Sequence, residues 1–359
     1  MITRMAAPML QVIASTNRRG AEIFATDLGD ALAVQGHDVQ TVALAPGTAD
    51  DALPVPTLGR RSLGLPTLRE LHRRIKTTPV VVSHGSRALP ACWIASQGTG
   101  RHFVYRTIHD GVSFARSAAR RARVALYLRR ASAVVALWPR SADVFMRRYG
   151  IPASKIHTIP NAAPVARFPI VDAERRRAAR ARFGVAPDER VILYLGWLAP
   201  EKFPAGTIAA CAAVADARLV IAGEGPDRAR LEQAARQVAP DRVHFIGGVR
   251  HPAEALALAD VLLLPALAEG MPAVLIEAGL SGLPVVATDV GAVREVVLDG
   301  DTGVVVPPGN PVAMTGALRD VLAAPAAMGR RAHEHCLAHF EIGVVAAAWD
   351  DLLGELEDA

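Results

Sequence analysis

Aromatic side chains are scarce in this chain, at 5% of its 359 residues, and lysine is scarcer, with Lys76, Lys155 and Lys202 set against a large excess of arginine. Basic stretches with so little aromatic interleaving, and no recognisable module, exclude a nucleic-acid reader. The three cysteines, Cys92, Cys211 and Cys336, are odd in number, far apart and in no metal-ligand spacing. That excludes a disulfide scaffold and reads as reduced thiols in a cytoplasmic protein. No apolar run reaches the eighteen or so residues that a membrane span needs. The opening MITRMAAPMLQVIA is short and broken by Pro8 and Gln11, so it reads as a first strand rather than a signal peptide. A net charge of +5 with 21% charged residues is a modest excess, by itself equally suited to an anionic small molecule, a membrane surface or nucleic acid. What is abundant is Ala, Val and Leu, enough for an ample core, and the length predicts two domains.

The most informative stretch is Val261 to Thr288, VLLLPALAEGMPAVLIEAGLSGLPVVAT. Two short apolar runs, Val261–Pro265 and Pro284–Thr288, lack alternation and suit parallel strands buried on both faces. Between them lie a loop, Ala268-Glu269-Gly270-Met271, and a predicted helix of about ten residues. Pro272 fits its first position and Gly282 fits the turn after its last. A loop at the carboxyl end of a strand is where open α/β sheets bind ligands. The helix start, at Ala273 and Val274, offers backbone N–H groups and a partial positive charge to a phosphate. Glu269 and Glu277, eight positions apart, could then accept bonds from sugar hydroxyls at either end of a diphosphate. On spacing alone both read first as solvated helix-end charges.

The run E-G-M-P-A-V-L-I-E-A-G-L-S-G-L-P-V-V-A-T resembles the sugar-donor site of retaining nucleotide-sugar glycosyltransferases of GT-B family 4, and the resemblance covers most of the chain. It implies an α/β, GT-B architecture: two Rossmann-like, doubly wound parallel-sheet domains facing a central cleft. The boundaries are read as 1–165 for an acceptor domain, with a tail helix of about 344–359 packing back on it, and 166–343 for the nucleotide-sugar domain. Expected donor contacts are Gly20, Gly196, Lys202, Gly223, Val249, Glu269, Gly270, Met271, Pro272, Ala273, Val274 and Glu277. Glu269, His109 and Lys202 are the catalytic candidates. No metal and no resident cofactor are expected, the nucleotide sugar being a co-substrate.

In the first half, Met9–Ser15 reads as a strand leading through Thr16–Gly20 into a helix, a doubly wound beginning. Gly20 would let the backbone approach a ligand. Related enzymes have two adjacent glycines here, and Arg19 stands at the first. His84 and His109 fall at the ends of predicted strands. His109, in a T-x-H-D context, matches a histidine that similar enzymes set against the donor sugar. His84 and Arg106 are read with it as acceptor contacts. Arg116 to Arg130, RSAARRARVALYLRR, predicts a basic helix with Val124, Leu126 and Leu128 interleaved. It reads first as a solvated face, and second as a peripheral contact with anionic lipid at the inner face of the membrane.

In the second half, Val191–Leu195 is a strand running into Gly196-Trp197-Leu198 and on to Lys202. Similar enzymes carry an arginine where Trp197 stands; Arg18, Arg19 and Arg294 are the candidates to take over that charge. Asp299 and Asp301 have the spacing of a metal–diphosphate signature, but Gly300 and Gly303 make the segment a turn. The sequence does not fix donor or acceptor; a UDP-sugar is expected before a GDP-sugar, with a small-molecule or lipid-linked acceptor. Two rivals stand beside a hexosyltransferase: a catalytically weak nucleotide-binding relative, which Trp197 suggests, and a sugar-nucleotide epimerase on the same scaffold.

Overall fold

The computed structural model describes residues 8–48, 52–111, 117–203 and 206–358. The chain divides into two compact units, Met1–Ala162 with Ile342–Ala359, and Ala163–Glu341. Each is built on a sheet of six strands, parallel throughout.

In the first unit the strands are β1 (Met9–Ser15), β2 (Val39–Ala45), β3 (Val80–His84), β4 (His102–Arg106), β5 (Ala133–Ala136) and β6 (Ile156–Thr158). Their order across the sheet is β2-β1-β3-β4-β5-β6. β3 and β5 are buried along their whole length, because helices cover both faces, and this is why the strands read as unbroken Val and Ala runs. One face packs under the helices Leu65–Thr77, Leu89–Ala95, Ala118–Arg129 and Pro139–Tyr149. The other packs under the Gly20–Val34 helix and the tail helix Ile342–Glu357, which buries Trp349 completely.

The second unit contains β7 (Arg190–Leu195), β8 (Ala217–Ala222), β9 (Val243–Gly247), β10 (Val261–Leu264), β11 (Val285–Thr288) and β12 (Gly303–Val306), ordered β12-β11-β10-β7-β8-β9. Two of its helices start where a polar side chain takes up a free N–H group: Asp172 accepts from Arg175 N at 2.8 Å and Asn310 from Ala313 N at 3.0 Å.

The strand order locates each unit's binding edge. The chain leaves β1 to one side for β2, then returns to the other side for β3. From β7 it runs outward through β8 and β9, then back to β10. At such a reversal the two connections part in opposite directions and leave a crevice at the carboxyl ends of the strands. It falls between β1 and β3 in the first unit and between β7 and β10 in the second.

Two sequence expectations shift. The helix after β10 runs over Ala273–Leu280, eight residues rather than ten. Pro272 is its N-cap, not its first residue, because its φ of −74° suits a helix but its ψ of 114° is extended. Arg116 lies outside the described residues; the basic helix begins at Ala118, with Ser117 accepting from Arg120 N at 3.3 Å.

Candidate active site

In the second unit the crevice is flanked by the loop after β7, Gly196 to Lys202, and the loop after β10, Pro265 to Met271. The two loops are joined. Leu267 N donates to Glu201 O at 2.7 Å. Lys202 Nζ lies 2.8 Å from Glu269 Oε2 and donates to Ala268 O at 3.1 Å. The sequence singled out Lys202 and Glu269 separately, sixty-seven positions apart; the fold makes them a pair, with Glu269 the more buried of the two. A charge-assisted bond of this kind is among the stronger polar contacts, and it holds the cation where the two loops meet.

Each loop is also braced from below. Tyr194 Oη donates to Trp197 O at 2.8 Å, Gly196 N to Ala222 O at 3.0 Å, and Leu198 N to Glu224 O at 2.8 Å. Gly223 and Gly225 pass so close that an added Cβ would stand 1.8 Å from Gly196 O and 2.1 Å from Leu198 O. No larger residue fits either place. On the other side Gly291, at φ +57°, would set a Cβ 2.3 Å from Gly270 O, and Ala292 N donates to that same oxygen at 2.8 Å. Gly291 and Gly225 are supports that the sequence reading missed; a glycine two or three residues beyond a predicted strand was their only signal.

The Ala273–Leu280 helix begins directly after this loop, so its first N–H groups, those of Ala273 and Val274, have no intrahelical partner. Met271 and Pro272 are buried, so they would act through the backbone; Glu277 is half-buried in the helix. Val249 follows the edge strand β9 and, with Arg182, Ile246, Gly248 and His251, lines a cavity of about 210 Å³. Burial raises the Tyr194 hydroxyl's pKa, with Glu269 and Glu201 adding to the shift.

Arg294 is not a spare cation: its Nε donates to Asp289 at 2.9 Å, and Nη1 lies 3.6 Å from Asp299. Asp299 also accepts from Val305 N at 2.8 Å, and Asp301 pairs with Arg331. The Asp299–Asp301 segment is therefore an occupied turn.

In the first unit the loops after β1 and β3 flank the crevice. Gly20 opens its helix with nothing within 4 Å of an added Cβ, so the fold's own packing does not require glycine there. Arg18 and Arg19 are exposed. Glu22 is buried in the helix's first turn, where desolvation raises its carboxyl pKa against the pull of Arg19 and Arg87. His109, after β4, is exposed, and its N–H donates to Thr107 Oγ1 at 3.2 Å.

The reading of His84 and Arg106 as acceptor contacts is corrected. His84 is 3% exposed and Arg106 0%, so neither offers an atom to a ligand at the surface. The Arg106 guanidinium lies 3.7 Å over the Phe24 ring and donates through Nη2 to Asn161 Oδ1. Its Nε and Nη1, and both His84 ring nitrogens, have no hydrogen-bond partner among the described residues. Desolvation pulls Arg106 down to about 9 and the His84 imidazole well below its usual value, Arg106 adding to the latter. These two residues form a polar layer beneath the crevice. All three cysteines are free and buried.

Residues 18–167 match the family described as Glycosyltransferase Family 4, and residues 175–335 match Glycosyl transferases group 1. Over 236 residues the chain is 34% identical to an alpha-D-kanosaminyltransferase of Streptomyces kanamyceticus, spanning 63% of this chain and 60% of that protein. It is 32% identical over 245 residues to a 2-deoxystreptamine glucosyltransferase of the same organism, spanning 64% and 62%. The matched part thus covers a little over three-fifths of these curated relatives. Anabaena HepE, solved in complex with UDP and glucose, superposes with a TM-score of 0.84 at 19% identity over 97% of this chain and 99% of that one, a likeness of fold. The chain belongs to the GT-B glycosyltransferases of family 4.

Proposed function

We propose that this protein transfers a hexose or N-acetylhexosamine from a nucleotide-diphosphate sugar, a UDP-sugar ahead of a GDP-sugar, to a hydroxyl of a small-molecule or lipid-linked acceptor, with retention and without a metal ion. The observation that carries the reading is the Lys202–Glu269 pair at the β7/β10 reversal, beside a helix N-terminus. A cation and a row of N–H groups suit a departing diphosphate; an acid next to them suits sugar hydroxyls. Relatives named as glycosyltransferases, and a structural neighbour bound to UDP-glucose, support the same class of substrate.

In this reading the bond between the anomeric carbon and the β-phosphate oxygen breaks. Lys202 and the N–H groups of Ala273 and Val274 take up the charge that develops on that oxygen. The acceptor hydroxyl attacks from the same face, forming the new C–O bond, and its proton passes to the departing phosphate. Glu269 orients the sugar hydroxyls and Glu277 holds the ribose. Gly196, Gly223 and Gly270 admit the diphosphate and Val249 meets the base; Gly20 and His109 are proposed as ligand contacts on the first unit's own loops. A nucleotide sugar entering this site replaces the Glu269 contact of Lys202 with phosphate.

Turnover of UDP-glucose, UDP-N-acetylglucosamine and GDP-mannose with a panel of sugar and glycolipid acceptors in EDTA, with the product anomer read by NMR, tests this. We expect a product of retained configuration, and a fall of about a hundredfold for Glu269→Gln. An inverted product, or turnover abolished by EDTA, would contradict the mechanism. Epimerised donor without acceptor would favour the epimerase, and nucleotide binding without turnover the weak relative.

Peripheral contact with anionic lipid is proposed on a separate observation: on the Ala118–Arg129 helix Leu126 is 54% exposed and stands among exposed Arg120, Arg123, Arg129 and Arg130.

A further inference from the structure

Of the chain's four tryptophans, Trp349 and Trp138 are buried and Trp93 is half-buried with its ring 4.8 Å from that of Tyr127. Trp197 is 60% exposed. An indole left in water forgoes more apolar burial than almost any other side chain. A floppy loop could hide it; this loop is braced. Its backbone is fixed at Gly196, Trp197 and Leu198 by the bonds to Ala222, Tyr194 and Glu224, and Gly223 and Gly225 lie against it with no room for a Cβ. The ring is therefore displayed on a rigid mount.

Its place along the sheet edge says what it is displayed to. β7 neighbours β10, whose loop carries Glu269, and the loop that bears Trp197 ends at Lys202, which grips Glu269. The Tyr194 hydroxyl that holds Trp197 O lies in the field of Glu269. The nucleobase segment at Val249 is two strands further along, after β9. An indole carries no charge to offer a diphosphate, and its flat face matches the C–H face of a pyranose ring.

We infer that Trp197 is a specificity-determining platform, stacking on the hexose of the nucleotide sugar, so that this site reads the transferred sugar by ring packing as well as by Glu269. The inference rests on the proposed nucleotide-sugar site and deepens it.

Calorimetric titration of UDP and of UDP-glucose, UDP-N-acetylglucosamine and GDP-mannose into the wild type and Trp197→Ala, Trp197→Phe and Trp197→Arg tests it. We expect Trp197→Ala to weaken the nucleotide sugar about tenfold, the effect of one lost ring contact, while nucleotide alone changes less than about twofold. Trp197→Phe keeps most of the affinity and Trp197→Arg does not restore it. Tryptophan emission should respond to the nucleotide sugar in the wild type and not in Trp197→Phe. Equal loss for nucleotide and nucleotide sugar, or no loss for either, would overturn the platform while leaving the site itself standing. A wild type that binds no nucleotide and no nucleotide sugar would instead overturn the site, and the platform with it. Melting curves of the variants check that each folds as the wild type does.

Discussion

His84 is the residue whose setting differs most from what its neighbours in the sequence suggest. It ends a strand, where a histidine could reach a ligand, yet it is buried beside Phe24 and Arg106 with both ring nitrogens unpaired. Burial favours the neutral ring, and the nearby guanidinium favours it further. A base whose folded-state pKa is depressed contributes no penalty above its unfolded value of 6.5, and costs stability as the pH falls below it, because only the unfolded chain then takes up the proton. Each pH unit below 6.5 costs up to about 1.4 kcal/mol until the folded-state value is reached. Between pH 7.5 and 5 the melting temperature should fall, and His84→Leu should shrink that fall by about 5 °C. Equal falls in both proteins would show that the ring is protonated in the folded state. Arg106 belongs to the same layer: with Asn161 and the Phe24 ring as its partners, it ties β4 to the segment after β6 and to the helix that begins at Gly20.

Among elements, the basic helix is the one that the structure revises most. The sequence offers Val124, Leu126 and Leu128 as its apolar side, but Val124 and Leu128 face inward to the core, and Leu126 alone is well exposed. Any hold on a bilayer is then mainly electrostatic, with roughly 1 kcal/mol from each arginine near the surface. We expect co-sedimentation with phosphatidylglycerol vesicles at low salt, lost by about 0.5 M salt. Arg120→Ala with Arg123→Ala together should lower binding about thirtyfold. No binding at low salt, or binding indifferent to salt, would remove the membrane contact. The strands, by contrast, were legible almost to the residue, since a strand covered on both faces must be apolar throughout and short runs such as Val80–Val82 or Val261–Leu264 leave no other reading. The loop motif around Glu269 was equally legible. What was hidden depended on partners distant in sequence: Gly291 supporting Gly270, Gly223 against Gly196, and which side of a strand end Arg106 would face.

On the scale of the whole molecule, the two sheets repeat one device. Each reverses its strand order once, and proposed site residues stand on the loops flanking that reversal: Gly20 in the first unit, and Gly196, Lys202 and Glu269 in the second. Length predicts two domains, and the chain forms two compact units; the returning tail helix, with Trp349 at its centre, makes the first of them discontinuous in sequence. Lys202, held by Glu269 at the β7/β10 reversal, is proposed to receive a nucleotide's diphosphate. The direct measurement is calorimetric affinity for UDP, GDP, ADP and TDP in EDTA, for the wild type and Lys202→Met. One nucleotide should bind the wild type and bind Lys202→Met some ten to a hundredfold more weakly, the worth of one hydrogen bond to a charged group. Affinity unchanged by Lys202→Met would contradict it.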